Sequence, residues 1–211
     1  MNHTLAIAVS AAAAISLASA HNVRADQAAF DFEAATPGQH ASLSLTNNGL
    51  TIDIRRGSFL PMQVLDTTGY PPSWGHRAAA PLSISSADLF YMNFSSPLTA
   101  FSMESGDFQT TGAGEPDFRT ITAFSGPEGT GSQLGIATFD YDGAHFFPAV
   151  ALLSLNAPVG QTIGSVTFGS VDRWGSVSVL FDNIHATFIP SPGVATIAPL
   201  AMAALFARRR R

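Results

Sequence analysis

Ser42-Leu43-Ser44-Leu45-Thr46-Asn47-Asn48-Gly49-Leu50-Thr51-Ile52-Asp53-Ile54 is the run that decides the fold. Leu43 and Leu45 alternate with hydroxyl side chains, and Leu50, Ile52 and Ile54 alternate with Thr51 and Asp53. Successive side chains of a strand point to opposite faces, so each half reads as a strand with one apolar face. Asn47-Asn48-Gly49 supplies residues that accept positive φ, which a tight hairpin demands. The two halves therefore pair antiparallel and must bury their apolar faces against further sheet.

The same pattern extends in both directions. Ala29 to Glu33 puts Phe30 and Phe32 on one side and Asp31 and Glu33 on the other, before a Thr36-Pro37-Gly38 turn. Leu82 to Ile84, Phe90 to Phe94, Leu98 to Met103, Thr120 to Phe124, Leu134 to Tyr141, Val150 to Leu155, Ile163 to Phe168 and Val177 to Phe188 read as further strands. Gly57 to Ala80, with Pro61, Pro71, Pro72, Trp74 and His76, reads as a long surface excursion, and Gly106 to Asp117 as a polar, acidic loop. No stretch keeps a helical period over three turns. Short strands separated by Gly, Pro and Asn turns predict an all-β chain, one β-sandwich domain of jelly-roll type over residues 27–189. In the last strand the apolar phase flips: Val177, Val179 and Phe181 share one parity, Ile184, Ala186 and Phe188 the other. A β-bulge is predicted at Asp182-Asn183.

The two ends are of another kind. Leu5 to Leu17 is apolar and alanine-rich, and Ala18-Ser19-Ala20 is a small-x-small cleavage site. Residues 1–20 thus read as a helical signal peptide for signal peptidase, although the amino group and His3 are the only cationic groups ahead of it. In residues 190–211, Pro190, Pro192 and Gly193 break the last strand, Val194 to Ala207 carries no charge, and Arg208, Arg209, Arg210 and Arg211 close the chain. A helix over that apolar run rises roughly 21 Å, short of the ~30 Å hydrocarbon core. It is too short to be a self-sufficient permanent span. A simple C-terminal anchor and a buried helix with a basic end stay open as alternatives.

Composition narrows the partners. There is no cysteine and no lysine, and four of the ten arginines are the tail. The remaining six face fifteen acids, a formal charge of −9. Such a body excludes nucleic acid as a partner and repels anionic membrane surfaces, while remaining compatible with divalent cations and neutral polysaccharide. Without disulfides, an exported domain of this size relies on packing or a bound ion.

The Pro-Gly turn, short apolar run and arginine block together resemble the PEP-CTERM sorting signal of bacteria, in its Pro-Ala-Pro-Gly form. That resemblance implies an exosortase-type membrane enzyme as partner, cleavage near Pro190, Pro192 and Gly193, and a final place at the cell surface or in the extracellular matrix. The body resembles the jelly-roll domains of such proteins and, more loosely, calcium-containing carbohydrate-binding jelly rolls. The residues that carry this are Phe30-Asp31-Phe32-Glu33 with Pro37-Gly38, Ser102 to Phe108, Ile163 to Gly169 and Phe181-Asp182-Asn183-Ile184. It implies that the first and last strands pair and that Glu33 and Asp182 hold one structural Ca²⁺. Calcium takes six to eight oxygens, so turn carbonyls and water would complete the set. The alternative is a solvated strand face and a bulge carboxylate that caps backbone.

Trp74 and Trp174 are the candidate glycan contacts, since aromatic faces stack on the apolar faces of sugar rings; packing is the alternative role. His40, His76, His145 and His185 are scattered without metal-ligand spacing, and no nucleophile-elbow, zinc-protease or phosphate-loop motif occurs. The expectation is a non-enzymatic, exported protein of structural or adhesive type that contacts extracellular polysaccharide. The runner-up is a carbohydrate-active enzyme, a glycoside hydrolase or lyase, using paired carboxylates on the same sandwich.

Overall fold

The computed structural model describes residues 25–57, 60–67, 74–81, 89–107, 117–140, 150–172 and 179–190. The signal peptide, the segment from residue 191 on, Trp174 and the strand expected at Leu82 to Ile84 lie outside them. Among the described residues twelve strands follow in order: β1 (Asp26–Phe30), β2 (Gly38–His40), β3 (Ser42–Asn47), β4 (Leu50–Arg56), β5 (Met62–Asp66), β6 (Arg77–Pro81), β7 (Leu89–Asp107), β8 (Asp117–Phe124), β9 (Gln133–Asp140), β10 (Ala151–Asn156), β11 (Ile163–Asp172) and β12 (Val179–Phe188). The β3–β4 hairpin forms where the sequence places it, with Asn47 opposite Leu50, and Asn48 and Gly49 at φ of 47° and 79°.

β7 organises the molecule. Its first half, Phe90 to Asn93, lies between β4 and β11. Its second half, Ala100 to Ser105, lies between β10 and β12. Between them sits Ser96-Pro97, and the β11 register jumps from Asn93 to Leu98 while β11 advances from Ser165 only to Ile163. Proline lacks a ladder donor, so strand pairing changes sheets there. One layer thus runs β3-β4-β7-β11-β8-β9, and the other β2-β5-β6-β12-β7-β10. β1 flanks β12 beyond the point where β6 ends its pairing.

The two inner faces meet as aromatic contacts. Phe90 and Phe168 of the first layer lie 4.9 and 5.2 Å from Phe181 of the second, and Phe94 lies 5.7 Å from Phe101. Ile52, Ile54, Met92, Met103, Ile121 and Ile184 complete a core from which water is excluded. Burial of that apolar face holds the layers together at roughly 25 cal/mol per Å².

The expected surface excursion over Gly57 to Ala80 is corrected. It contains β5 and β6, with Met62, Val64, Ala78 and Ala79 buried. Trp74 joins Ala78, Ala80 and Leu180 in a second small core on the outer side of β12. The short Arg77-Ala78-Ala79-Ala80-Pro81 strand has no large apolar residues to alternate, so periodicity does not show it.

Candidate functional site

The predicted bulge is present. On β12, Asp182 faces Glu104 and His185 faces Ser102, three steps against two, and Asn183 has a φ of 48°. The extra residue restores the apolar phase: Phe181 and Ile184 both point inward. Its position matters because two neighbours share this edge of β12. β6 pairs only at Phe181 and β1 only from Ile184 onward, so Asp182 and Asn183 lie at the junction, outside either ladder. The Asn183 amide donates to Glu104 Oε2 at 2.9 Å.

Asp182 is fully buried, and neither carboxylate oxygen closes a hydrogen bond. Burial above all, with the Asp31 and Glu33 carboxylates adding to it, pushes its carboxyl up to about 7, and the Asn183 and Phe32 amides counter this only in part. Glu33 sits in the turn after β1. Its Oε1 accepts from the main-chain amides of His76 at 2.5 Å and Arg77 at 2.9 Å, while Asp31 Oδ1 accepts from the Glu33 amide at 3.1 Å. Arg77 Nη1 donates to the carbonyls of Glu33 and Ala35, both at 2.5 Å. The turn and the head of β6 therefore cap one another.

The structure brings Glu33 and Asp182 into one acidic neighbourhood with Asp31. A buried carboxylate that no side-chain donor partners, beside two more carboxylates, is the electrostatic environment a hard cation relieves. The donors are all oxygen, which suits calcium. Among the described residues no group of three or more His, Asp or Glu side chains is arranged around one ion position, so carbonyls and water would carry the remaining coordination. Arg77, Glu104 and Asn183 escape sequence reading, because their contacts here span 42 to 79 residues of chain.

A groove of about 440 Å³ crosses the outer face of β1, β12, β7 and β10. The strand alternation builds it: Ala28, Phe30, Ile184 and Ala186 turn inward, so Gln27, His185 and Thr187 turn out. Ser102, Ser154 and Asn156 face them from β7 and β10, and Ala29 and Ala100 keep the floor low. Among the described residues that line it there is no carboxylate and no arginine, and the aromatic one, Phe101, is buried in the core beneath it. It offers hydroxyls, two carboxamides and an imidazole to a neutral polar ligand.

Trp74 is not a sugar platform. It is 1 % exposed, and its ring lies so close to Gly106 that a Cβ there would sit 2.8 Å from Cη2. The Pro-Pro-Ser-Trp-Gly composition suggests a loop, but the indole finds the outer side of β12. Pro190 follows β12 half-buried; Pro192, Gly193 and Arg208 to Arg211 lie outside the described residues. Among the described residues no helix is long and apolar enough to cross a membrane.

No protein-family model matches the chain, and no curated protein matches it. Among solved structures it is similar to the arabinose-bound α-L-arabinofuranosidase MgGH51, at 12% identity over 78% of this chain and 26% of that one, with a TM-score of 0.46. It is similar to the CBM22-1 xylan-binding domain of Paenibacillus barcinonensis Xyn10C, at 8% identity over 81% of this chain and 99% of that one, with a TM-score of 0.42. A family 6 carbohydrate-binding module matches at 19% identity over 60% and 82% of the two chains, with a TM-score of 0.34. The chain spans about a quarter of the length of the arabinofuranosidase.

Proposed function

We propose that the chain is an exported cell-surface or extracellular-matrix protein of structural or adhesive type, whose jelly-roll sandwich binds neutral polysaccharide without turning it over. The observation that carries this reading is the uncharged polar groove across β1, β12, β7 and β10. Ionised sugars gain nothing there, whereas hydroxyl-rich chains find donors and acceptors along its length. With the lining ring of Phe101 buried in the core, binding is weak per sugar and depends on hydrogen bonds, each worth about 0.5–1.5 kcal/mol net. Titration calorimetry with neutral and acidic polysaccharides tests it. Gln27→Ala and His185→Ala together should weaken binding of the neutral chain about tenfold, as two lost hydrogen bonds would. Equal affinity in the double variant refutes the groove. Release of reducing sugar, lost on acid-to-amide changes, would instead establish the carbohydrate-active enzyme.

Two further parts belong to this reading. One Ca²⁺ is held by Asp182 and Glu33 and joins the end of β1 to the bulge of β12, which also forms the groove wall. Signal peptidase and an exosortase-type enzyme process the two ends, the second at the PEP-CTERM-like segment around Pro190, Pro192 and Gly193.

A further inference from the structure

We infer that, in the membrane-held state proposed above, one pole of the sandwich rests on the lipid headgroups, because the connection after Pro190 is too short to let it leave. β7 identifies the pole. It turns at Ser96-Pro97 and returns along itself: Phe94 lies 5.7 Å from Phe101, while Phe90 and Ser105 both neighbour Phe181. The bend therefore marks one end of the strands. The Asn48-Gly49 turn, the loop from Ser125 to Ser132, the turn after Asn156, the start of β1 and the end of β12 reach the same end. Asp26 pairs with Phe188, so both ends of the described body leave from here. The exit of the tail is fixed in place. The Ile189 amide donates to the Pro97 carbonyl at 3.0 Å, and Pro190 is half-buried.

Charge distinguishes the two poles. Residues 45–52, 93–100, 124–132, 156–163 and 186–190 build this one, and Glu128 is their only charged residue. Glu128 is drawn back along the first layer, where its amide donates to Asn93 Oδ1 at 2.7 Å and its carboxylate pairs with Arg55 at 2.9 Å. Asp26, at the head of β1, is the other acid among the described residues here. At the opposite pole the tips of β7, β8, β9 and β11 are Asp107, Asp117, Asp140 and Asp172. An anionic leaflet repels that acidic pole and lets the nearly uncharged one approach. Val159, fully exposed on the turn after β10, meets the headgroup layer.

Length then sets the distance. A helix over Val194 to Ala207 rises roughly 21 Å, against a hydrocarbon core of ~30 Å. With Arg208 to Arg211 at the far surface, Val194 lies about 9 Å inside the near face of that core. The headgroup layer adds about 5–7 Å. Four Cα steps from Pro190 to Val194 extend at most about 14 Å. The connection is thus spent in crossing lipid, and the pole is drawn onto the headgroups. Even a bilayer thinned to fit the helix leaves the pole within about 8 Å of them. The groove crosses the strands, so it runs parallel to the bilayer, with Gln27, Thr187 and Asn156 on its lipid side.

The chain has no cysteine, so a single introduced thiol reports without background. Full chains carrying Val159→Cys or Thr138→Cys, the second exposed near the opposite pole, take an environment-sensitive fluorophore and are reconstituted into vesicles of phosphatidylethanolamine and phosphatidylglycerol. Spin labels on the headgroups should quench the probe at position 159 several-fold more than the probe at position 138. A flexible Gly-Ser insert of about a dozen residues after Gly193 should remove most of that difference while the chain still floats with the vesicles. Equal quenching at both positions in chains that float overturns the inference and leaves the membrane anchor standing. Quenching at position 159 that survives the insert shows that the short connection does not hold the pole, and overturns it as well. Chains that do not float with the vesicles overturn both the inference and the anchor on which it rests.

Discussion

Asp182 concentrates the electrostatics of the molecule on one carboxyl. With calcium chelated, its folded-state value of about 7 stands above the ordinary 3.8. The folded state therefore holds the proton more tightly than the unfolded chain. Stability is full below about pH 4 and is lost as pH rises through 7, by on the order of 4 kcal/mol. Urea denaturation in EDTA between pH 4 and 8 should show that fall, and Asp182→Asn should flatten it. An equal slope in both proteins removes Asp182 as its source. Calcium bound as proposed would reverse the sign, because a cation stabilises the ionised form. At a hundred times its dissociation constant it contributes about 2.7 kcal/mol, or about 5 to 10 °C in melting temperature for a domain this size. EDTA should erase that shift in the wild type, and Asp182→Asn should show none to erase. Asp182 was legible as a bulge residue from the phase flip alone. Its burial was not, because Asp182 lies where β12 passes from β6 to β1, and both pairings join segments far apart in the chain.

Among the elements, β12 is inserted between partners that lie far apart in sequence, and it is covered on both sides near its start. Leu180 packs under Trp74 while Phe181 enters the main core. Gly106, on the neighbouring stretch of β7, is the residue that lets the indole lie flat. Gly106→Ala places a methyl 2.8 and 3.0 Å from two ring carbons. Overpacking of this kind costs about 1–3 kcal/mol, so the variant should melt several degrees lower, with a shifted tryptophan emission. Unchanged melting and emission would mean that the ring does not rest there. The β3–β4 hairpin was readable to the residue, because turn chemistry and strand alternation are both local. β5 and β6 were not readable. Their burial comes from pairing with β2 and β12, and Ala78-Ala79-Ala80 carries no period to announce it.

For the whole molecule, the proposed sorting of the ends predicts the mass of the mature protein. Intact mass measured from native cells should correspond to loss of residues 1–20 and of everything beyond the Pro190 to Gly193 turn. A finished product that keeps Arg208 to Arg211 contradicts processing there and leaves only the sandwich. By itself the sequence determined that the described chain is all strand, where its first hairpin turns, where its last strand changes face, and that its body is acidic. These properties are encoded within a few neighbouring residues, through side-chain alternation, turn chemistry and charge. Only the tertiary structure decided that Trp74 is inside, that Glu33 is spent largely on the amides of His76 and Arg77, and that the outward residues of four strands meet in a neutral groove. Those outcomes depend on which distant segments share an edge of β12 and β7, and pairing across a sandwich is set by the burial of the whole core rather than by any one stretch of chain.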